Sequence, residues 1–211
     1  MSVTHPEGVA SSVNQSIVLA TFLLSLGALA TLLLHALSHP ANPYSRPSLV
    51  YGLCLFACCL CSYAYNARLF PRELSLLRKL DHAAIFLLIA GTYTPFVAGG
   101  IRGLFGIPLI DWVWGLALMG ILIRLQLPEC YDRVVVGLYL LLGWLFLTAL
   151  PEILRLTAPT PLIFLGLGAL FYTVGALVFA RDIGRWTDPV WHSFVLVAAT
   201  LHFLAVASLL V

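Results

Sequence analysis

The sequence predicts an all-α protein, a bundle of seven transmembrane helices with its N-terminus cytoplasmic and its C-terminus outside. Hydrophobic residues make up 61% of the 211-residue chain and charged residues only 9%, against about 25% charged in ordinary soluble domains. The charges fall between long apolar blocks, each of about 20 residues, the length needed to cross roughly 30 Å of hydrocarbon. The blocks are apolar on every side rather than alternating, which excludes the strands of a membrane β-barrel. Helices satisfy their own backbone groups in lipid, so each block is expected to be one.

Residues 1–14 read as a short N-terminal tail and 15–211 as a single seven-helix membrane domain. The first block, 15–37, exceeds a signal-peptide core and is expected to be a retained span. The second, 48–66, holds Cys54, Cys58, Cys59 and Cys61, while Cys130 sits alone in a loop. That distribution offers no disulfide framework. The third, 82–100, follows Asp81 and carries Tyr93 and Thr94, which can bond across helices, and Pro95, which breaks the regular ladder. The fourth and fifth are 107–125 and 133–150. The sixth, 160–180, has Gly166, Gly168 and Gly175, small residues that permit close helix approach, as do Gly91, Gly99 and Gly100 in the third. The seventh, 189–211, contains His192 and, ten residues deeper, His202, expected to be a buried donor to a neighbouring helix. Trp112, Trp114, Trp144, Trp186 and Trp191 lie toward span ends, as interfacial anchors do.

Orientation follows from the basic residues. Arg68, Arg72, Arg78, Lys79, Arg124, Arg133, Arg181 and Arg185 fall on the side of the N-terminus; Arg46, Arg102 and Arg155 fall on the other. Excess Lys and Arg mark the cytoplasmic face, which places the N-terminus inside. The expected location is the bacterial inner (plasma) membrane, crossed several times. A net charge of +2 without a basic tail argues against nucleic acid as a partner. Membrane lipids are the expected partners, and no feature identifies a protein partner.

Ionisable groups near membrane depth are costly and therefore mark candidate sites. Asn66 ends the second span, Asp81 and His82 open the third, and Asp188 and His192 open the seventh, all in the half predicted to be cytoplasmic. Cys58, Ser62 and Asn66 recur every four residues along one helical stripe, and Asp188 and His192 are also four apart. A carboxylate, an imidazole and further donors arriving from three helices have the makeup of a metal site in a bundle. The simpler alternatives are that Asp188, directly before Pro189, is a helix cap, that Asp81 caps the third helix, and that a buried histidine is satisfied by a hydrogen bond.

The segment "RKLDHAAIFLLIAGTYTPF" resembles the third helix of the hemolysin III family, the bacterial branch of the progestin and adipoQ receptor membrane proteins. The similarity continues through "YLLLGWLF", "GLGALFYTVGALVFA" and "VWHSFVLVAATLHFLAV". The resemblance implies seven helices with a cytoplasmic N-terminus. In that family and the related alkaline ceramidases, zinc near the cytoplasmic side is held by three histidines, and an aspartate holds the metal-bound water. Carried across, the serine of the second-helix motif is Ser62, the aspartate is Asp81, and the histidine positions fall on Asn66, Asp188 and His192. Two of the three histidines are thus replaced. Asn14 matches part of a first-helix motif, with Val18 where a histidine is expected.

The resemblance implies action in membrane lipid homeostasis or signalling with a diverged metal site. Its alternative is a metal-dependent lipid amide hydrolase, in which zinc or another divalent cation is held by His192, Asp188 and Asn66, Asp81 orients the water, and Ser62 helps hold the oxyanion. A further alternative, from the family's name, is a pore-forming hemolysin.

Overall fold

The computed structural model describes residues 6–97, 100–103, 107–126 and 132–211. Helix α1 spans Pro6–Ser38, α2 Ser45–Asn66, α3 Leu74–Val97 and α4 Leu109–Gln126. Then come α5, Asp132–Gly143, α6, Leu150–Leu156, α7, Pro159–Arg181, and α8, Thr187–Ala207. A 3-10 stretch, Leu145–Ala149, joins α5 to α6, and the two helices together form one apolar passage. There is no strand among the described residues, only an isolated bridge between Arg102 and Pro108. Seven helical segments are long and apolar enough to cross a membrane. The protein is a multi-pass membrane protein.

The helices form a ring. α1 packs between α2 and α8, α2 against α3, α3 against α4, and α7 against α8, while α5 closes the circuit more loosely against α3, α4 and α7. Small residues allow the closest approaches. A Cβ at Gly168 would fall on the ring of His202, and at Gly91 it would sit 2.5 Å from Cys54 Cβ. The free thiols of Cys54, Cys58 and Cys59 are buried as small apolar groups. Cys130 and Gly99 lie outside the described residues.

Of the boundaries that differ from the sequence reading, two bear most on the site. α1 begins at Pro6, so the part of the expected tail from residue 6 onward forms its first turns. There Ser12 and Ser16 return their hydroxyls to the carbonyls of Gly8 and Ser12 at 2.9 and 3.0 Å, a local satisfaction that lets polar residues sit within a helix. α3 begins at Leu74, so Asp81 and His82 lie two turns inside the helix and Asp81 does not cap it. The cause is "LSLLRKL", which has good helix formers and no breaker.

Deeper in, Tyr93 Oη donates toward the carbonyls of Leu142 and Gly143, each at 2.9 Å, and accepts from the Phe146 amide at 2.8 Å. It thereby ties α3 to the break after α5. Trp114 Nε1 donates to Thr94 Oγ1 at 3.2 Å. His202 Nε2 donates to the Leu165 carbonyl at 3.2 Å, the interhelical bond expected of it.

Candidate functional site: a polar cavity at the N-terminal end of the bundle

The first turns of α1, α3 and α8 and the last turn of α2 meet at one end of the ring. Between them lies a cavity of about 110 Å³ whose wall includes Asn66, Asp81, His82, Asp132, Asp188 and His192. It adjoins an open vestibule that shares Asn66, Arg78 and Asp188 with it and adds Asn14 and Arg185.

One wall is a neutral network. Asn66 Nδ2 donates to the Ser62 carbonyl at 2.9 Å, so its Oδ1 is left to accept, which it does from Asn14 Nδ2 at 2.7 Å. Asn14 Oδ1 therefore faces His192 Nδ1, at 2.7 Å. The Asp188 carbonyl lies 2.9 Å from the same nitrogen. Both contacts are acceptors, so Nδ1 carries the hydrogen. His192 Nε2 is then the lone-pair nitrogen, with Ser62 Oγ 3.4 Å away, and the Ser62 hydroxyl also bonds the Asp81 carboxyl. Asn14 and His192 are 8% exposed each, and burial without these bonds would cost on the order of 1–3 kcal/mol per group.

The opposite wall is charged. Arg78 Nη2 donates to Asp132 Oδ2 at 2.9 Å, and Arg124 Nη2 lies 3.2 Å from Asp132 Oδ1. Arg124 Nη2 also donates to His82 Nδ1 at 3.0 Å. Tyr139 Oη donates to the His82 carbonyl at 2.7 Å, and Lys79 Nζ to the Leu125 carbonyl at 3.0 Å. Arg124 is 0% exposed. It belongs to the interior as the counter-ion of Asp132, whereas its place at a span end had suggested a surface charge.

The structure brings all the sequence-derived candidates to this end. Ser62, Asn66 and His192 bond within one network, and Asp81 faces the same cavity. Asp188 is exposed at the mouth. α8 starts at Thr187, its cap position is Trp186, and no side chain bonds that cap, so Asp188 is not an N-cap. The sequence reading did not single out Arg124, Asp132 or Tyr139, and it noted Asn14 only as a partial motif match. Their signal was an acid and a base at facing span ends, which a one-dimensional reading assigns to the membrane surface.

The residues present do not fit a zinc centre with three strong protein ligands. Among the described residues, no group of three His, Cys, Asp or Glu side chains converges to hold an ion. The Asn66 amide is engaged through both of its atoms. His192 Nε2, which Ser62 faces, supplies one imidazole lone pair, and the Asp81 and Asp188 carboxyls on the same wall do not gather with it into a three-ligand group.

Behind the polar cavity lies a larger one of about 320 Å³, lined almost entirely by apolar side chains such as Leu88, Phe96, Leu162 and Leu165, with His202 at its wall. The two cavities share Ile85, Tyr139, Ala176 and Trp191.

Comparison with known proteins agrees with this architecture. Residues 10–203 match the profile of a family described as haemolysin-III related. The chain is 32% identical over 184 residues to Hemolysin-3 of Bacillus cereus, a match covering 87% of this chain and 84% of that protein. It is 29% identical over 203 residues to the Hemolysin-3 homolog of Bacillus subtilis (strain 168), covering 96% of this chain and 94% of that one. A family match spanning nearly the whole seven-helix ring, joined to relatives of matching length, shows that this chain belongs to the haemolysin-III related family.

Proposed function

We propose that the protein handles membrane lipids, acting in lipid homeostasis or signalling, and that it holds an amphiphile through side-chain hydrogen bonds rather than through a metal ion. The supporting observation is the pair of neighbouring cavities, a small polar one beside a larger apolar one, with Ile85, Tyr139, Ala176 and Trp191 in the lining of both. A ligand pocket that is mostly apolar with a few convergent polar groups is the usual form of a small-molecule site. The polar end would lie among Asp81, His82 and His192, and the chain among Leu88, Leu162 and Leu165. The distribution of Lys and Arg supports a cytoplasmic mouth, and the seven apolar helices support a place in the plasma membrane.

A second reading, hydrolysis of a lipid amide, draws support from Asp81 on the cavity wall and from the Ser62–His192 contact. If a divalent ion were taken up, His192 and Asp188 would have to hold it, with Asn66 released from its present bonds. The relatives' name motivates a pore as a third outcome.

Mass spectrometry of lipid extracted from protein purified in mild detergent tests the proposal. A bound amphiphile at near-stoichiometric level is expected, and Ile85→Trp, which adds bulk where the linings of the two cavities meet, should lose it while keeping helix content and elution volume. Equal occupancy in the variant, or no lipid in the wild type, would count against lipid binding. Turnover of a lipid amide abolished by Asp81→Asn would establish the hydrolase instead, and dye leakage from liposomes at low protein dose the pore.

A further inference from the structure

Two histidines line the polar cavity, and their surroundings dictate opposite tautomers. At His192 the ring's Nδ1 meets two groups that only accept, Asn14 Oδ1 at 2.7 Å and the Asp188 carbonyl at 2.9 Å. The direction of the Asn14 amide is fixed in turn by Asn66, whose own amide is fixed by the Ser62 carbonyl. This chain of bonds, anchored on one backbone oxygen, leaves Nε2 as the lone-pair nitrogen. At His82 the ring's Nδ1 meets Arg124 Nη2 at 3.0 Å, while Asp132 Oδ1 stands 3.8 Å from it, beyond hydrogen-bond reach, and a guanidinium only donates. Nδ1 must accept there, so Nε2 carries the hydrogen. Phe179 stands edge-on to that ring at 6.3 Å between centroids, which restrains its rotation.

We propose that Asn14 and Arg124 are positioning residues that fix His192 as an acceptor and His82 as a donor, so that the cavity recognises a headgroup bearing a hydroxyl or an amide. Such a group donates and accepts at once, and two rings of unlike tautomer satisfy both halves. The opposite settings need different partners, an amide on α1 and a guanidinium on α4, because the tautomer of an imidazole is set by the hydrogen bond its other nitrogen makes. No metal is required to orient either ring. The tautomer assignment stands apart from the lipid reading above, whereas the choice of headgroup rests on it.

Nitrogen-15 NMR of histidine-labelled full-length protein in detergent micelles tests this, with His82→Gln and His192→Gln assigning the signals. The expected spectrum shows a protonated Nδ1 and bare Nε2 on His192, and the reverse on His82. Asn14→Leu should move the His192 Nδ1 proton upfield, and Asn14→Gln, which retains both the acceptor and the donor, should restore it. The same tautomer on both rings, doubly protonated rings, or a His192 proton indifferent to Asn14→Leu would overturn the positioning role. Titration with N-octanoyl ethanolamine should then perturb both rings. Perturbation of neither ring would overturn the headgroup class while leaving the tautomers, and any lipid found on the purified protein, as separate results.

Discussion

The two walls of the polar cavity solve the same problem with different materials. The α1–α2–α8 wall is neutral: Asn14, Ser62, Asn66 and His192 satisfy one another in a directional series. The α3–α4–α5 wall is ionic: Arg78 and Arg124 converge on the Asp132 carboxylate beside His82. A neutral network fails gradually, because each lost bond exposes one dipole. An ionic one fails sharply, because removing one charge strands another where solvent cannot reach it. The neutral wall is therefore where substitutions should be tolerated.

That contrast can be broken most severely at Asp132. Asp132→Ala leaves Arg124 buried without its carboxylate, and a loss of about 3–5 kcal/mol is expected. It would be read as collapse of the detergent-solubilised monomer peak and of the thermal midpoint. Survival with an unchanged midpoint would show that the ionic wall contributes little. Gly168→Leu should come next, since even a Cβ would meet the His202 ring. Overpacking and loss of the His202–Leu165 bond are expected to cost about 1–3 kcal/mol, measurable by thermal unfolding, and Gly166→Leu should cost less because nothing lies within 4 Å of a Cβ there.

On the neutral wall, Asn14→Leu strands Asn66 Oδ1 and one His192 acceptor contact. A loss on the order of 1–3 kcal/mol is expected, milder than Asp132→Ala. If the two losses matched, the comparison between the walls would fail. The smallest effect is expected from Tyr139→Phe, which deletes one bond to the His82 carbonyl and should cost about 1 kcal/mol. A sharper consequence would be altered lipid occupancy, since Tyr139 also stands between the two cavities.

The seven helices were legible in the sequence because a membrane span must be long and apolar, and that constraint is one-dimensional. The convergence of Ser62, Asn66, Asp81 and His192 was also legible, through four-residue spacing and the shared end of the bundle. Partnership was not. Asn14 bonds Asn66 across 52 positions and His192 across 178, and no local pattern reports such a match. Asp81 looked like a cap because the apolar block starts after it, yet "LSLLRKL" extends α3 backward. Arg124 looked like a surface charge until Asp132 was found beside it.

Asn66 and His192, two of the positions at which the resemblance implies zinc-binding histidines, belong in this structure to a hydrogen-bonded series with Asn14 and Ser62. Metal analysis of protein purified with zinc present, wild type beside the Asn66→His, Asp188→His double variant, tests it most directly. Far less than one zinc per chain is expected in the wild type and close to stoichiometric zinc in the variant. Stoichiometric zinc in the wild type, lost in His192→Ala, would contradict it.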